Sequence, residues 1–179
     1  MKKRIITNKN KGILFWITGL SGSGKTTISK KIKKKITTLY GPTLIISGDN
    51  LRKIFHFNKY TYEERLLLGK KFYKFAKFIT DQKINLIFAS VGMMDIIREW
   101  YRKNVDNYVE IYIKSDLKKI IKLKRKKIYQ NRKKNHNIVG ITIKPELPKK
   151  SDIIINNDFK KSVDQLSKNL VKRIIIKVK

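Results

Sequence analysis

One octapeptide constrains the chain more than any other stretch. Gly19-Leu20-Ser21-Gly22-Ser23-Gly24-Lys25-Thr26 fits the phosphate-loop pattern G-x-x-x-x-G-K-[ST] at every position. Ahead of it, Ile13-Leu14-Phe15-Trp16-Ile17-Thr18 is an apolar run of strand length. Behind it, Thr27-Ile28-Ser29-Lys30-Lys31-Ile32 continues toward Ile36 and Leu39 with apolar residues at helical spacing. A strand, a glycine loop and a helix in that order allow successive backbone N–H groups to converge on phosphate oxygens. The helix N-terminus adds partial positive charge. In such a loop Lys25 reaches the β- and γ-phosphates and Thr26 holds Mg²⁺. Gly19, Leu20, Ser21, Gly22, Ser23, Gly24, Lys25, Thr26 and Thr27 are therefore the candidate ATP-binding residues. A glycine-rich turn with no ligand is the bland alternative, and the lysine, the threonine and both flanks weigh against it.

At 179 residues the chain suits one domain with a sheet covered on both faces. No apolar run is long enough to cross a membrane. The basic residues 1–11 lead straight into the first strand and read as a ragged start, not a signal peptide. Cysteine is absent, which excludes disulfides and thiolate metal sites and fits a cytoplasmic protein. Lysine and arginine number 44 against 13 aspartates and glutamates, a formal charge of +31. Such a balance suggests a nucleic-acid partner. The competing explanation is biased composition, since Lys, Ile and Asn recur throughout and lysine far outnumbers arginine, the residue favoured in specific phosphate recognition. Compositional bias is the preferred reading, and specific nucleic-acid binding is not expected.

After Gly41-Pro42, Thr43–Ser47 reads as a second strand ending at Gly48-Asp49-Asn50-Leu51-Arg52. A carboxylate at a strand's C-terminal end lies where open α/β sheets bind ligands. Asp49 can accept a proton from an acceptor hydroxyl or help to hold the metal, and Arg52 can pair with an anionic group. The bland reading of Asp49 is a helix N-cap. Thr61 and Glu64 have capping-box spacing ahead of a long amphipathic helix to about Gln82. Ile84–Ser90 reads as a third strand leaving through Val91-Gly92-Met93-Met94-Asp95, where the two methionines read as core filler. A helix over 96–102 and a strand over Tyr108–Ile113 follow. Asp116 is expected to cap a helix from Leu117 to about Tyr129. Lys122, Lys124, Arg125, Lys126, Lys127, Arg132, Lys133 and Lys134 make the stretch at about 124–148 lid-like, although a solvated lysine face would look the same. Asn135–Pro148 reads as loop, Asp152–Asn156 as a last strand and Val163–Ile176 as a closing helix. Strands alternating with helices predict a parallel α/β/α sandwich of the P-loop NTPase type.

These residues resemble the adenylylsulfate (APS) kinase family of P-loop kinases from Phe15 to about Asp158. The resemblance is carried by 16–27, by Gly48-Asp49-Asn50-Leu51-Arg52, by Tyr60-Thr61 ahead of Glu64-Arg65, by Asp81-Gln82-Lys83, by Ile128-Tyr129 and by Asn137-Ile138-Val139-Gly140-Ile141. It implies a catalytic pair, Asp49 and Lys25, with Thr26 and Asp49 toward Mg²⁺. It further implies that Asp49 serves a nucleotide 3′-hydroxyl and that Arg52 and Arg65 hold the acceptor's charged 5′ group. Tyr60 would stack on the acceptor base, and Ile138 occupies the position of a second stacking aromatic. Cytoplasmic homodimers are usual in that family.

Several residues depart from the family's pattern. Leu67-Leu68-Gly69-Lys70-Lys71 stands where Glu-Asn-Ile-Arg-Arg is usual, and Val91-Gly92-Met93 where Ile-Ser-Pro is usual. Lys126-Lys127-Ile128-Tyr129 stands for Lys-Gly-Leu-Tyr. Met94, Glu99-Trp100 and Arg102-Lys103-Asn104 are similar to a branch found near surface-polysaccharide genes, which includes a cytidine diphosphoramidate kinase. The expectation is therefore ATP-dependent phosphorylation of a nucleotide's ribose 3′-hydroxyl, with adenylylsulfate the leading acceptor and a cytidine diphosphate derivative the alternative. A catalytically altered ATP-fold protein that binds nucleic acid is the reading from a different class.

Overall fold

The computed structural model describes residues 7–58, 60–123, 127–129 and 137–178. Five strands form one wholly parallel sheet: β1 (Leu14–Thr18), β2 (Thr43–Ser47), β3 (Asn85–Ser90), β4 (Tyr108–Lys114) and β5 (Ile153–Asn156), in the spatial order β2-β3-β1-β4-β5. The helices are α1 (Lys25–Tyr40), α2 (Gly48–Ile54), α3 (Tyr62–Asp81), α4 (Asp95–Asn104), α5 (Leu117–Lys122) and α6 (Val163–Lys177).

Alternation along each strand divides the core in two. Phe15 and Ile17 join Val109, Ile111 and Ile113 against the Ile28-Ile32-Ile36 stripe of α1 and Leu166, Leu170 and Ile174 of α6. Leu14 and Trp16 face the other way, with Leu86 and Phe88, onto Phe72, Ala76 and Ile79 of α3 and Ile97 and Tyr101 of α4. Parallel strands buried on both faces need this continuous apolar character. Asn85 replaces Ile84 as the first residue of β3. Its buried amide accepts from Ile13 N at 2.9 Å and donates to Tyr40 O at 2.8 Å, joining β1 to the end of α1.

The structure sets aside the bland reading of Asp49 and changes two local expectations. The cap of α2 is Ser47, whose hydroxyl accepts from Asn50 N at 3.1 Å, so Asp49 stands inside the first turn and not at the cap. Asp116 does cap α5, accepting from Lys119 N at 2.9 Å, but that helix ends at Lys122, short of Tyr129. Only Ile120 of α5 is buried, so little packing sustains further turns. Leu39, expected on the inner stripe of α1, is exposed, and Tyr40 packs there instead. Of the basic lid-like stretch, 124–126 and 130–136 lie outside the described residues, as does the Lys127 side chain; Lys127–Tyr129 form a single 3₁₀ turn.

Candidate active site

The loop between β1 and α1 is shaped by its glycines and closed by its lysine. Gly24, the residue before α1, has φ 95°, a left-handed conformation that side chains resist, and a Cβ there would approach the Asn157 amide to 3.2 Å. Lys25 Nζ donates to Gly19 O at 2.9 Å and Leu20 O at 2.8 Å, so its buried ammonium folds back into the loop. Two further side chains clamp the loop from outside the motif. Asn157, just past β5, donates to Ser23 O at 3.0 Å, and the buried Tyr129 donates its hydroxyl to Ser21 O at 3.1 Å.

A cavity of about 530 Å³ opens at the C-terminal edge of the sheet. Ser21, Gly22, Gly24, Lys25, Thr26 and Thr27 line one part of it. Gly19, Leu20 and Ser23 do not line it. Gly19 and Leu20 present carbonyls to Lys25, the Leu20 side chain is buried with Ile120, Tyr129 and Ile138, and Ser23 is fully buried. Asp49, Arg52, Tyr60, Arg65 and Ile138 line the same cavity. It therefore contains residues from both halves of the predicted site.

Arg52 and Arg65 share the Tyr60 ring, their guanidinium carbons 4.4 and 5.4 Å from its centroid. Arg65 also donates to Tyr60 O and Asn137 O, each at 2.8 Å. Burial holds both guanidinium groups below the ordinary arginine value, and Arg52 lowers Arg65 further. Asp49, Tyr60 and Glu64 act on Arg52 in the opposite sense. Two partly desolvated cations therefore stand close together on one wall of the cavity. Tyr60, expected to stack on a base, is thus already engaged by cations. Ile138 is 2% exposed and does as much to pack Leu20 and Tyr129 as to line the cavity.

The inner wall is apolar, with Trp16, Leu68, Phe72, Phe88, Met93, Met94 and Ile97. Met94 is core, as its residue type suggests, yet both methionines reach the cavity. The unusual Gly92 has a steric explanation. Its φ is +44°, and a Cβ would stand 2.1 Å from Trp16 Cζ2. The indole is itself fixed, donating from Nε1 to Ser90 Oγ at 2.7 Å. A serine side chain has no room on this backbone.

Motif spacing does not reveal Asn157, or Glu146, which lines the cavity, as builders of the site, and Tyr129 enters there only through the resemblance. For Asn157 one signal exists: it follows the last strand, at the edge where such sheets gather ligands. Among the described residues no three His, Cys, Asp or Glu side chains cluster as a metal-binding group. Thr26 and Asp49 on a shared cavity remain compatible with Mg²⁺, which takes one or two protein oxygens and completes its shell with phosphate and water.

A parallel sheet in this order, with a glycine loop after its central strand and an acidic turn after β2, defines a nucleotide-binding fold of the P-loop kinase class. Residues 11–156 match the adenylylsulphate kinase family, and the chain belongs to it. Among curated relatives, the cytidine diphosphoramidate kinase of Campylobacter jejuni is 33% identical over 94% of this chain and 99% of its own length. A probable adenylyl-sulfate kinase of Pyrococcus abyssi is 31% identical over 66% of this chain and 68% of its own. The fold is shared with the Mycobacterium tuberculosis APS kinase solved in complex with AMPPNP and APS, with a TM-score of 0.80 at 18% identity, covering 92% of this chain and 98% of that one.

Proposed function

We propose that this protein transfers the γ-phosphoryl group of ATP to the ribose 3′-hydroxyl of a nucleotide derivative. One observation carries the proposal: a single cavity is lined by Lys25, Thr26 and Thr27 on one side and by Asp49, Arg52 and Arg65 on another. The loop amides, Lys25 and the N-terminus of α1 would hold the triphosphate. Thr26 and Asp49 would hold Mg²⁺, which when bound offsets charge on the phosphates. Asp49 would orient the acceptor hydroxyl and take its proton, while Arg52 and Arg65 grip the acceptor's anionic group. Such reactions depend mainly on positioning and electrostatics.

For the acceptor we place a cytidine diphosphate derivative ahead of adenylylsulfate, reversing the order expected from sequence. The Campylobacter relative matches nearly end to end. The wall offers Leu68 and Ile138 where an adenylylsulfate pocket of the family pattern would carry an amide and a second ring. Adenylylsulfate stays as the second reading because several relatives are adenylyl-sulfate kinases and the paired arginines suit a phosphosulfate equally well.

ATP consumption measured with each nucleotide separates the two. Turnover dependent on cytidine diphosphoramidate is the expected result. Dependence on adenylylsulfate alone would reverse the order of acceptors. Turnover with neither, alongside salt-sensitive RNA binding, would replace the kinase with a nucleic-acid-binding protein.

A further inference from the structure

The N-terminus of α4 lacks a cap of its own: Met94 occupies the N-cap position and offers no side-chain acceptor. Its helix N–H groups would be left without partners there. The structure supplies one from far along the chain. The Glu146 carboxylate accepts from Asp95 N, and Glu146 N donates to Met93 O at 3.2 Å. Arg98, only 4% exposed, completes the joint. It donates to Gly92 O at 3.1 Å and to Glu146 O at 2.5 Å, and it pairs with the Asp95 carboxylate. The exit of β3 and the 144–146 arm are thus bound together at several points.

That joint lies at a decisive place. In the sheet, β3 sits between β2, which leads to Asp49, and β1, which leads to the phosphate loop. An arm pinned to the exit of β3 therefore stands beside the line along which donor and acceptor must meet. The arm carries one cation, Lys144, which lines the cavity and is exposed. Lys144 makes no ion pair among the described residues. The donor phosphates already have Lys25, the loop amides and a helix N-terminus, so an added cation has its use on the acceptor.

We infer that Lys144 binds the anionic group of the acceptor nucleotide, and that Glu146 and Arg98 are positioning residues that hold it against the cavity. The inference rests on the nucleotide-kinase function proposed for this cavity. A charge-assisted contact of this kind, made from an exposed side chain, predicts about a tenfold effect.

The test is steady-state kinetics of the full-length protein with ATP and, separately, cytidine diphosphoramidate and adenylylsulfate. Lys144→Ala is expected to raise the KM of the accepted nucleotide about tenfold, with kcat and the KM for ATP within about twofold of wild type. Lys144→Arg should restore it. Glu146→Ala should reproduce the Lys144→Ala effect, and the double variant should be no worse than either single one, because Glu146 acts through Lys144. Glu146→Gln, which keeps an acceptor for Asp95 N, should stay near wild type and serves if the alanine variant does not fold. An unchanged acceptor KM in Lys144→Ala, a change in the KM for ATP instead, or additive single effects would overturn the inference while leaving the kinase intact. If wild type turns over neither nucleotide the kinase itself falls. Calorimetric binding then decides: Lys144→Ala must weaken whichever nucleotide the wild type holds, and equal affinity, or no binding at all, ends the inference too.

Discussion

Asp49 and Lys25 line one cavity, yet the tasks proposed for them differ in kind. Asp49 belongs to the first turn of α2, whose cap is supplied by Ser47, so neutralising it leaves that cap intact. Asp49→Asn should therefore preserve ATP affinity and lower turnover by about two orders of magnitude or more, the range for loss of a general base. Lys25→Ala removes two hydrogen bonds to loop carbonyls as well as a charge, so affinity and rate should fall together. Nucleotide titration beside initial rates checks both, and an Asp49→Asn enzyme of normal speed would remove that carboxylate from the chemistry. At this scale the sequence is most legible where function is written in short spacing. Lys25, Thr26, Asp49, Arg52 and Arg65 follow from motifs and resemblance and do reach one cavity. Glu146 and Asn157 do not follow from motifs, because the backbone groups they serve, Asp95 N and Ser23 O, lie 51 and 134 residues away and carry no local signature.

Elements are legible to the extent that their own burial sustains them. The stripe Ile28-Ile32-Ile36 gives α1, and α6 is marked at its start by Ser162 and Gln165, which form a reciprocal capping box. Ser162→Ala should cost about 1 kcal/mol of stability. Because α6 backs α1 from the side away from the cavity, denaturant midpoints should fall while the KM for ATP holds; a raised KM would mean that α6 sets the loop as well as supporting it. The helix expected from Leu117 to Tyr129 fails for the converse reason. Its apolar residues are too sparse after Ile120, Leu123 is 48% exposed, and its N–H turns back onto Lys119 and Ile121 carbonyls to end the helix. Helical periodicity without a partner face promises more turns than packing provides.

For the whole molecule, the two-faced core is legible from alternating strands and helices, whereas its buried ions are not. Glu110 points from β4 into the α3/α4 side at 2% exposure, bonded to Arg102 at 2.8 Å and to the Tyr108 hydroxyl at 3.2 Å. Burial raises its carboxyl above the ordinary value of 4.5, with Arg102 and Arg98 opposing. The native state then binds this proton more tightly than the unfolded chain does. The contribution of Glu110 is present in full below the unfolded value and is lost as pH rises through the folded one. Thermal melts from pH 4 upward should show that decline in wild type relative to Glu110→Gln; parallel curves would mean that Arg102 fully compensates the burial. The +31 charge, by contrast, is spread over solvated faces such as Lys30, Lys31, Lys33, Lys34 and Lys35 of α1, in keeping with composition more than with a dedicated groove.

Trp16 and Gly92 occupy, in effect, a single volume. Neither position can be varied on its own terms: a side chain restored at 92 enters only if the ring at 16 contracts, and a smaller ring at 16 opens a void that glycine cannot fill. Reshaping this part of the cavity by design would have to move along paired substitutions at 16 and 92, and a library that samples one of the two at a time would miss them.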